Sequence, residues 1–505
     1  MTRLPFDPAG LHLDRTRGLS RQLYRALRAR ILDGRLASGV RMPASREMAV
    51  ALHISRNSVM RAYDQLYAEG FIEGRVGDGT YVSLLALKAV KQSTKSSTSS
   101  HTGLATGLST GLRVPEAQEG CDNGGQPPLT PALPVPPSDA PKAFRVGVPA
   151  FDLFPFKTWS KLQAAFWRAP ALSDLGYQHP AGDLQLRGLI AAYLRSSRGL
   201  SCDADQIVLT CGAQQAIALC AQVLLQPGAV AAVENPGYRA AGLALASAGA
   251  QVHGVAVDAE GLCVDALAPI TKCCLAYVTP AHQYPTGVTM SLSRRLALLA
   301  WAERAGGWVI EDDYDGEYRY SGAPLAPLAA LDRRGRVIYV GTFGKVAFPA
   351  MRLGYLVLPP QLVAPFEQRS ALAGRHLEVG TQKVMAHFIA QGHFQRHIRR
   401  MRKAALARRN ALIEHWPAPV AGCAPLPVVS AGLHLTIEVH DLAREAELAG
   451  LAAAAGVELN RLSTYQQPAG AGQGTPRAGL VLGFASVNET AIADACRRLA
   501  MAWRS

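Results

Sequence analysis

A polar tract of about 60 residues divides this chain more sharply than any other feature of the sequence. From Leu84 to Ala143 the residues are mostly Ser, Thr, Gly and Pro, as in KQSTKSSTSSHTGLATGLSTGL, and few are large and apolar. A structureless segment longer than about 15 residues is uncommon inside a compact domain. We therefore predict a flexible linker at residues 86–142, between a small amino-terminal domain at 17–85 and a large carboxy-terminal domain at 143–505.

Composition is compatible with two globular domains and narrows the choice of partners. Hydrophobic residues make up 49% and charged residues 18% of the 505 residues, which is ordinary for folded proteins. Every apolar run is interrupted before the ~18 residues that a membrane helix needs, and the first ten residues do not resemble a signal peptide. The nine cysteines show no zinc-finger spacing, so we expect a reducing, cytoplasmic environment and no metal site. The net charge of +14 favours a polyanionic partner such as nucleic acid.

The amino-terminal domain has the pattern of a winged helix-turn-helix. Leu23, Leu27 and Ile31 recur at helical spacing, a second short helix is predicted at 45–52, and Ser55 is placed as the N-cap of a third helix. Two strand-like pieces, FIEGR and GTYVS, follow and form a predicted hairpin around Val76, Gly77 and Asp78. Hydroxyl, guanidinium and amide groups gather at the first turn of the third helix, which such domains insert into the major groove. Taken singly these groups are a helix cap and solvated charges, but together they predict DNA binding.

The segments MPASREMAVAL, SRNSVMRAYDQL, EGFIE and GDGTYV resemble the GntR family of bacterial DNA-binding domains across residues 18–85. Ala44 and Asn57 stand where that family often has Ser and Thr, which leaves the base preference open. The resemblance implies a double-stranded DNA operator as partner and the following DNA-contacting residues: Arg46, Ser55, Arg56, Asn57, Ser58 and Gly79.

The carboxy-terminal domain has the pattern of an α/β fold. Short apolar runs alternate with amphipathic stretches of helical length, which predicts a mostly parallel sheet flanked by helices. We expect a large subdomain at about 180–385 and a small α+β subdomain at about 390–505. The predicted strands are Gln206 to Thr210, Ala229 to Glu234, Cys274 to Thr279, Trp308 to Asp312 and Val337 to Gly341.

Chemically distinctive residues follow the last two of these strands. Lys345, in GTFGKVAFPAMRLGY, is a candidate to bond an aldehyde, and Arg352 a candidate to bind a phosphate. Alone, such a lysine is more often an ordinary surface residue. Asp312 can hold a proton on a pyridine nitrogen and Tyr314 can donate to a phenolate oxygen, although the cluster EDDYD is also compatible with Mg²⁺ ligands.

Three further segments suit the same ligand. The amides of GAQ at 212–214 open a predicted helix, where phosphate binds well. Tyr238 follows a Pro-Gly turn and can lie against a pyridine ring, although an exposed turn tyrosine is an equally good interpretation. In TPAHQYPTG, His282 and Gln283 are placed to approach the ring oxygen.

Together, in this order, the five segments resemble fold-type I aminotransferases, and more closely the MocR subfamily of GntR regulators, in which that fold follows a winged helix. The resemblance implies pyridoxal phosphate as cofactor, Lys345 as the catalytic residue that forms the internal aldimine, and a homodimer. Gly344 replaces a common Ser, Tyr284 stands where aminotransferases have Asn, and Ala240 replaces the Arg of γ-aminobutyrate sensors. The implied cofactor-binding residues are Lys345, Asp312, Tyr314, Tyr238, Arg352, Thr342, Gly212, Ala213, Gln214 and His282.

The expected function is a transcription regulator that senses pyridoxal phosphate, or an amine or amino acid that forms an external aldimine with it. The alternative is an active aminotransferase with an accessory DNA-binding domain, for which Arg461 and Arg477 are candidate carboxylate ligands. A basic helix near 391–410 either guides DNA over the large domain or is a solvated face.

Overall fold

The computed structural model describes residues 8, 11, 13–14, 18–75, 78–83, 139–320, 325–467 and 476–504. The predicted linker at 86–142 therefore lies outside the described residues except for its last four. Those four already belong to the folded domain, since the Lys142 carbonyl accepts a hydrogen bond from the Ser486 hydroxyl at 2.8 Å and Arg145 pairs with Asp139 at 2.7 Å. Contacts of the carboxy-terminal domain thus begin at Asp139, slightly before the predicted boundary.

The amino-terminal domain is a three-helix unit followed by a two-stranded antiparallel wing. The Ser55 hydroxyl accepts the Ser58 amide at 3.1 Å, which caps the third helix as predicted. Leu23, Leu27 and Ile31 are fully buried. Val76 and Gly77 of the predicted wing turn lie outside the described residues. The elements are α1 (Leu19–Leu32), α2 (Ser45–Leu52), α3 (Arg56–Ala68), β1 (Ile72–Arg75) and β2 (Gly79–Val82).

An eight-stranded sheet forms the centre of the large domain. Its strands are β3 (Ile207–Thr210), β4 (Val230–Asn235), β5 (Gln251–Asp258), β6 (Gly261–Leu262), β7 (Cys273–Val278), β8 (Trp308–Asp312), β9 (Val337–Thr342) and β10 (Gly354–Val357). Their order is β3-β10-β9-β8-β7-β4-β5-β6. The pairs from β5 to β9 through β4, β7 and β8 are parallel, whereas β10 is antiparallel to both neighbours and β6 to β5. The five predicted runs coincide with β3, β4, β7, β8 and β9 to within one residue at each end.

Helices cover both faces of this sheet and separate apolar clusters lie against them. The sheet is buried on both sides, which explains why its strands are continuous apolar runs rather than alternating ones. Among the described residues, no helix has the length and apolar character needed to cross a membrane. The helices of this region are α4 (Phe156–Arg168), α5 (Leu184–Ser197), α6 (Ala213–Leu224), α7 (Arg239–Ser247), α8 (Leu292–Ala305), α9 (Leu328–Leu331), α10 (Val363–Gly374) and α11 (Val379–Ala390).

The carboxy-terminal part forms a smaller α+β unit with its own core. Its three strands are antiparallel, in the order β11-β13-β12, and the long helix α12 connects it to the large subdomain. The elements are α12 (His393–His415), β11 (His434–Glu438), α13 (Leu442–Ala454), β12 (Asn460–Arg461), β13 (Gly479–Gly483) and α14 (Glu489–Ala502).

The DNA-binding domain packs directly against the large domain. Leu296 of α8 and Leu331 of α9 are buried in the same apolar cluster as the core of the three-helix unit. Arg28 of α1 also donates to the Ala330 carbonyl at 3.1 Å. The two domains are therefore in contact through side chains as well as joined through the linker.

Candidate cofactor site and DNA-binding surface

Lys345 lies in the turn that follows β9, within a cavity at the carboxyl ends of the parallel strands. Its Nζ donates to the Gly147 carbonyl at 2.8 Å. Burial lowers the pKa of Lys345, and the charges of Asp315 and Asp312 oppose that effect. Gly147 has a φ of +79°, and a Cβ there would lie 3.1 Å from Nζ, so glycine leaves room for the amine. A recessed lysine with a lowered pKa is suited to nucleophilic attack as the neutral amine.

Asp312, the last residue of β8, supplies the strongest evidence for the kind of group that the cavity holds. Tyr277 donates to its Oδ2 at 2.7 Å, whereas its Oδ1 is buried and has no partner among the described residues. Burial raises the pKa of Asp312 to about 6. A protonated pyridine nitrogen would supply the missing donor and restore the carboxylate, so this residue fits pyridoxal phosphate.

Donors for a phosphate converge at the other end of the cavity. Gly212, with a φ of +83°, is the N-cap of α6, and the amides of Ala213 and Gln214 open that helix. Arg352 donates to the Cys211 carbonyl at 2.6 Å, and its guanidinium lies 3.6 Å from the position of a Cβ on Gly212. Helix-terminal amides beside a guanidinium favour a phosphate group.

Tyr238 lies between these two ends and lines the cavity. Its hydroxyl donates to Gln214 Oε1 at 3.2 Å, and its ring packs edge-on against Tyr284 with centroids 5.9 Å apart. Burial raises the pKa of Tyr238 to about 12, so its hydroxyl stays protonated near neutral pH. The ring is placed to flank a flat ligand.

Tyr314 also lines the cavity, but His282 does not. The Tyr314 hydroxyl donates to the His282 carbonyl at 2.9 Å, and His282 Nδ1 lies 2.9 Å from Asp315 Oδ2. His282 is buried behind Tyr314, and Gln283 is occupied by Glu234 and the Pro236 carbonyl. His282 is therefore placed to position the Tyr314 side chain. We had expected from the sequence that His282 itself would approach the ring oxygen of the cofactor.

Nine of the ten residues predicted for the cofactor share this cavity. Sequence reasoning missed Gly147, Tyr277 and His434, which also line it. Tyr277 could have been predicted from the sequence, because it is a polar residue near the carboxyl end of a predicted strand. Gly147 and His434 come from distant segments, and no local sequence pattern indicates that they belong to the site. The nine are Lys345, Asp312, Tyr314, Tyr238, Arg352, Thr342, Gly212, Ala213 and Gln214.

The acidic cluster at the end of β8 does not converge on one point. Glu311 accepts the amides of Leu328 and Ala329 at 2.7 and 2.9 Å, and so caps α9. Asp313 pairs with Arg198. These carboxylates have separate protein partners, in contrast to the shared Mg²⁺ site that the sequence left open.

The two candidate carboxylate ligands lie away from the cavity. Arg477 donates to the Val257 carbonyl at 3.1 Å and pairs with Glu438, while Arg461 is exposed on β12. Among the described residues, Arg352 is the only arginine that lines the cavity. A second guanidinium for a substrate carboxylate is therefore not among the described cavity residues.

The predicted DNA-binding residues are grouped at the start of α2, the start of α3 and the wing. Arg46, Ser55, Arg56, Asn57 and Gly79 are exposed, and Ser58 is half-buried. Arg56 Nε donates to the Ser45 hydroxyl at 3.3 Å, which connects α3 to α2. The first turn of α3 thus presents hydroxyl, amide and guanidinium groups on one exposed end.

The basic helix α12 is neither a continuous DNA surface nor a uniformly solvated face. Arg408 is buried and donates to the Ala485 carbonyl and to Asp152, both at 2.6 Å. Arg402 donates to the Glu317 carbonyl at 2.8 Å. Only part of the predicted basic face, including Arg399 and Arg400, is exposed.

Comparisons with known proteins agree with both halves of this geometry. Residues 150–431 match the family of class I and II aminotransferases, and residues 19–82 match the gntR family of bacterial regulatory proteins. The probable rhizopine catabolism regulatory protein MocR of Rhizobium meliloti is 34% identical over 495 residues, covering 96% of this chain and 94% of that protein. The pyridoxine biosynthesis transcriptional regulator PdxR of Corynebacterium glutamicum is 30% identical, covering 95% of each. The crystal structure of Pyrococcus horikoshii kynurenine aminotransferase matches with a TM-score of 0.64 and 29% identity, over 73% of this chain and 91% of that one.

The fold and the two sites define a DNA-binding transcription regulator with a pyridoxal phosphate-binding domain of the aminotransferase type. Given a relative 34% identical over nearly its whole length, the chain belongs to the MocR group of GntR-type regulators.

Proposed function

We propose that this regulator senses pyridoxal phosphate, or an amine or amino acid that reacts with the bound cofactor, and that occupancy of the cavity changes its affinity for an operator. The observation that carries the proposal is the buried Oδ1 of Asp312, which has no hydrogen-bond partner in the described part of the chain and lies in a cavity that also contains Lys345. A DNA-binding protein that retains Asp312 and Lys345 in one cavity can bind the cofactor and couple that binding to DNA affinity.

Bound pyridoxal phosphate would supply an aldehyde carbon for amines and a ring that withdraws electrons. In our proposal Lys345 would attach the cofactor, Asp312 would keep the pyridine nitrogen protonated, and the Tyr314 hydroxyl would turn from the His282 carbonyl to donate to the ring oxygen. Tyr238 flanks the ring. Thr342, Arg352 and the amides at 212–214 hold the phosphate.

Sensing is favoured over turnover by the arrangement of positive charge. Transamination requires that a substrate carboxylate be held in position beside the reacting carbon. The only arginine among the described cavity residues, Arg352, lies at the phosphate end beside Gly212. The aminotransferase alternative retains support from the intact set of Lys345, Asp312 and Tyr314.

For DNA, we propose that a homodimer reads two half-sites in the cytoplasm, with one winged helix on each. The contacting residues would be the exposed start of α3, together with Arg46 and Gly79. Two linked contacts bind an operator more tightly than either does alone.

A combined titration tests the proposal. The visible spectrum of the full-length, cofactor-loaded protein is recorded while amines and amino acids are added, and operator affinity is measured in the same samples. We expect one class of amine to shift the absorption band and the operator affinity together. Catalytic conversion of an added oxo acid, with an unchanged operator affinity, would instead establish the aminotransferase alternative.

A further inference from the structure

A second cavity, of about 630 Å³, lies between the DNA-binding domain and the large domain. We call it the seam cavity. It shares no lining residue with the cofactor site, and its volume is within the range of small-molecule sites. Its arginines and serines, among the residues that the structure describes, are Arg21, Arg25, Arg28, Arg61, Arg198, Arg402, Ser20, Ser196 and Ser197.

Positive charge exceeds negative charge in the seam cavity. Its two carboxylates are Asp64 and Glu69. Glu69 is buried and accepts the Tyr24 hydroxyl at 2.7 Å, and burial raises its pKa, so its charged form is disfavoured. Arg198 is paired with Asp313. The other five arginines have no carboxylate oxygen within 4.0 Å in the described part of the chain.

Among the described residues, the guanidinium groups of Arg21, Arg25, Arg28 and Arg402 donate only to backbone carbonyls. Arg21 and Arg25 both donate to the Arg195 carbonyl, at 3.2 and 3.0 Å, although each guanidinium has five N–H donors. Burial, followed by the charge of Arg25, lowers the pKa of Arg21. The Arg61 side chain has no hydrogen bond or ion pair with any described residue, although its backbone is part of α3. The seam cavity is thus lined by several positively charged guanidinium groups that have N–H donors left unpaired among the described residues.

We propose that the seam cavity binds a small multivalent oxyanion, of the chemical class of phosphorylated metabolites. A guanidinium matches the geometry of phosphate oxygens, and an anion bound among several guanidinium groups offsets their mutual repulsion. The donors come from α1 and α3 on one side and from α12 and the end of α5 on the other. The ligand therefore bridges the two domains and stabilises their contact.

Some of the guanidinium groups are recessed in the cavity, where a small anion can reach them and the DNA backbone cannot. Arg28 and Arg402 are half-buried between the domains, and each donates a single N–H group to a backbone carbonyl of the described residues. A DNA duplex is too wide to enter a cleft of this kind and would meet only residues at its rim. Phosphate oxygens on a small molecule can reach the interior.

Calorimetric titration with inorganic pyrophosphate tests this site. The full-length protein is loaded with pyridoxal phosphate, freed of excess cofactor and kept without DNA, sulfate or phosphate. Arg61→Gln removes a charge with no described partner, and Arg25→Gln is the second variant. Arg400→Gln, an exposed arginine outside the cavity, is the matched control. We expect the two cavity variants to weaken binding by at least about tenfold and the control to change it by less than about twofold.

Three results would overturn the proposal. The first is an absence of pyrophosphate binding, and the second is equal weakening by Arg61→Gln and Arg400→Gln. The third is loss of binding in Arg352→Gln with no change in Arg61→Gln, which would place the anion at the cofactor phosphate end. A flat pyrophosphate titration, with a smaller salt dependence of operator binding in Arg61→Gln, would assign the arginines to DNA phosphates. These measurements do not depend on whether the cofactor domain senses an amine.

Discussion

Adjacent residues at the end of β8 perform unrelated tasks. Glu311 caps α9, Asp312 faces the cofactor cavity and Asp313 pairs with Arg198 near the DNA-binding domain. The sequence was sufficient to select Asp312, because acidic residues at the carboxyl end of a parallel strand are placed for ligands. The sequence was not sufficient to predict which partner each of the three acidic residues contacts, since each partner comes from a distant segment of the chain.

Asp312→Asn should stabilise the cofactor-free protein at neutral pH. Burial raises the pKa of Asp312 from 3.8 to about 6, so its protonated form is favoured on folding. This contribution to stability is fully present below about pH 4 and is lost as the pH rises through about 6. Asn is neutral throughout and still accepts the Tyr277 hydroxyl, so we expect a gain of about 1–3 kcal/mol at pH 7.5 that shrinks towards pH 4.5.

Thermal unfolding of the cofactor-free variant and parent at the two pH values checks this prediction. Saturation with pyridoxal phosphate is the control, because the pyridinium should restore the advantage of the carboxylate. A stability difference that is the same at pH 4.5 and 7.5 would contradict the proposed ionisation of Asp312.

At the scale of elements, most of the architecture was predictable and the contacts between elements were not. Strands β4, β7, β8 and β9 followed from apolar runs, and α3 from its cap and periodicity. The positions of His282 behind Tyr314 and of Gly147 against Lys345 depend on how distant loops meet. Local patterns specify strands and helices, whereas side-chain neighbours across the sheet are set by tertiary packing.

The start of α3 should supply sequence discrimination. Arg56→Ala and Asn57→Ala are each expected to cost about 1–3 kcal/mol in binding the specific operator, because donors to base edges are lost. Affinity for scrambled DNA should change less. Fluorescence titrations on both DNAs, with Arg497→Ala on the exposed face of α14 as the control, check this. Equal losses of affinity for the specific operator and for scrambled DNA would show that these residues do not recognise bases.

The packing of the DNA-binding domain against α9 should depend on Leu331. This side chain is 6% exposed and lies in the apolar core of the DNA-binding domain, so Leu331→Ala should cost about 2–5 kcal/mol. We expect faster hydrogen exchange in α1, with the cofactor spectrum unchanged. Leu372→Ala, at a site 79% exposed, is the control. Unchanged exchange in α1 would show that this contact does not hold the two domains together.

At the scale of the whole molecule, the proposed dimer links each ligand cavity to a pair of recognition helices on the operator. A long polar linker by itself can transmit only a change in reach or placement. The direct contact through Leu296, Leu331 and Arg28 gives a second connection, which the sequence did not predict. A ligand shifts such a system only if it binds two arrangements of the dimer with different affinities.

The most direct test compares an operator with two correctly spaced half-sites and a DNA with one. Each is titrated with the full-length protein at fixed salt, with and without pyridoxal phosphate, and Lys345→Ala serves as the control with impaired cofactor attachment. We predict a change of about 5–150-fold in affinity for the two-site operator, almost none for the single site, and a reduced effect in the variant. An affinity for the two-site operator that is the same with and without the cofactor would contradict the proposal that the aminotransferase-type domain is a sensor.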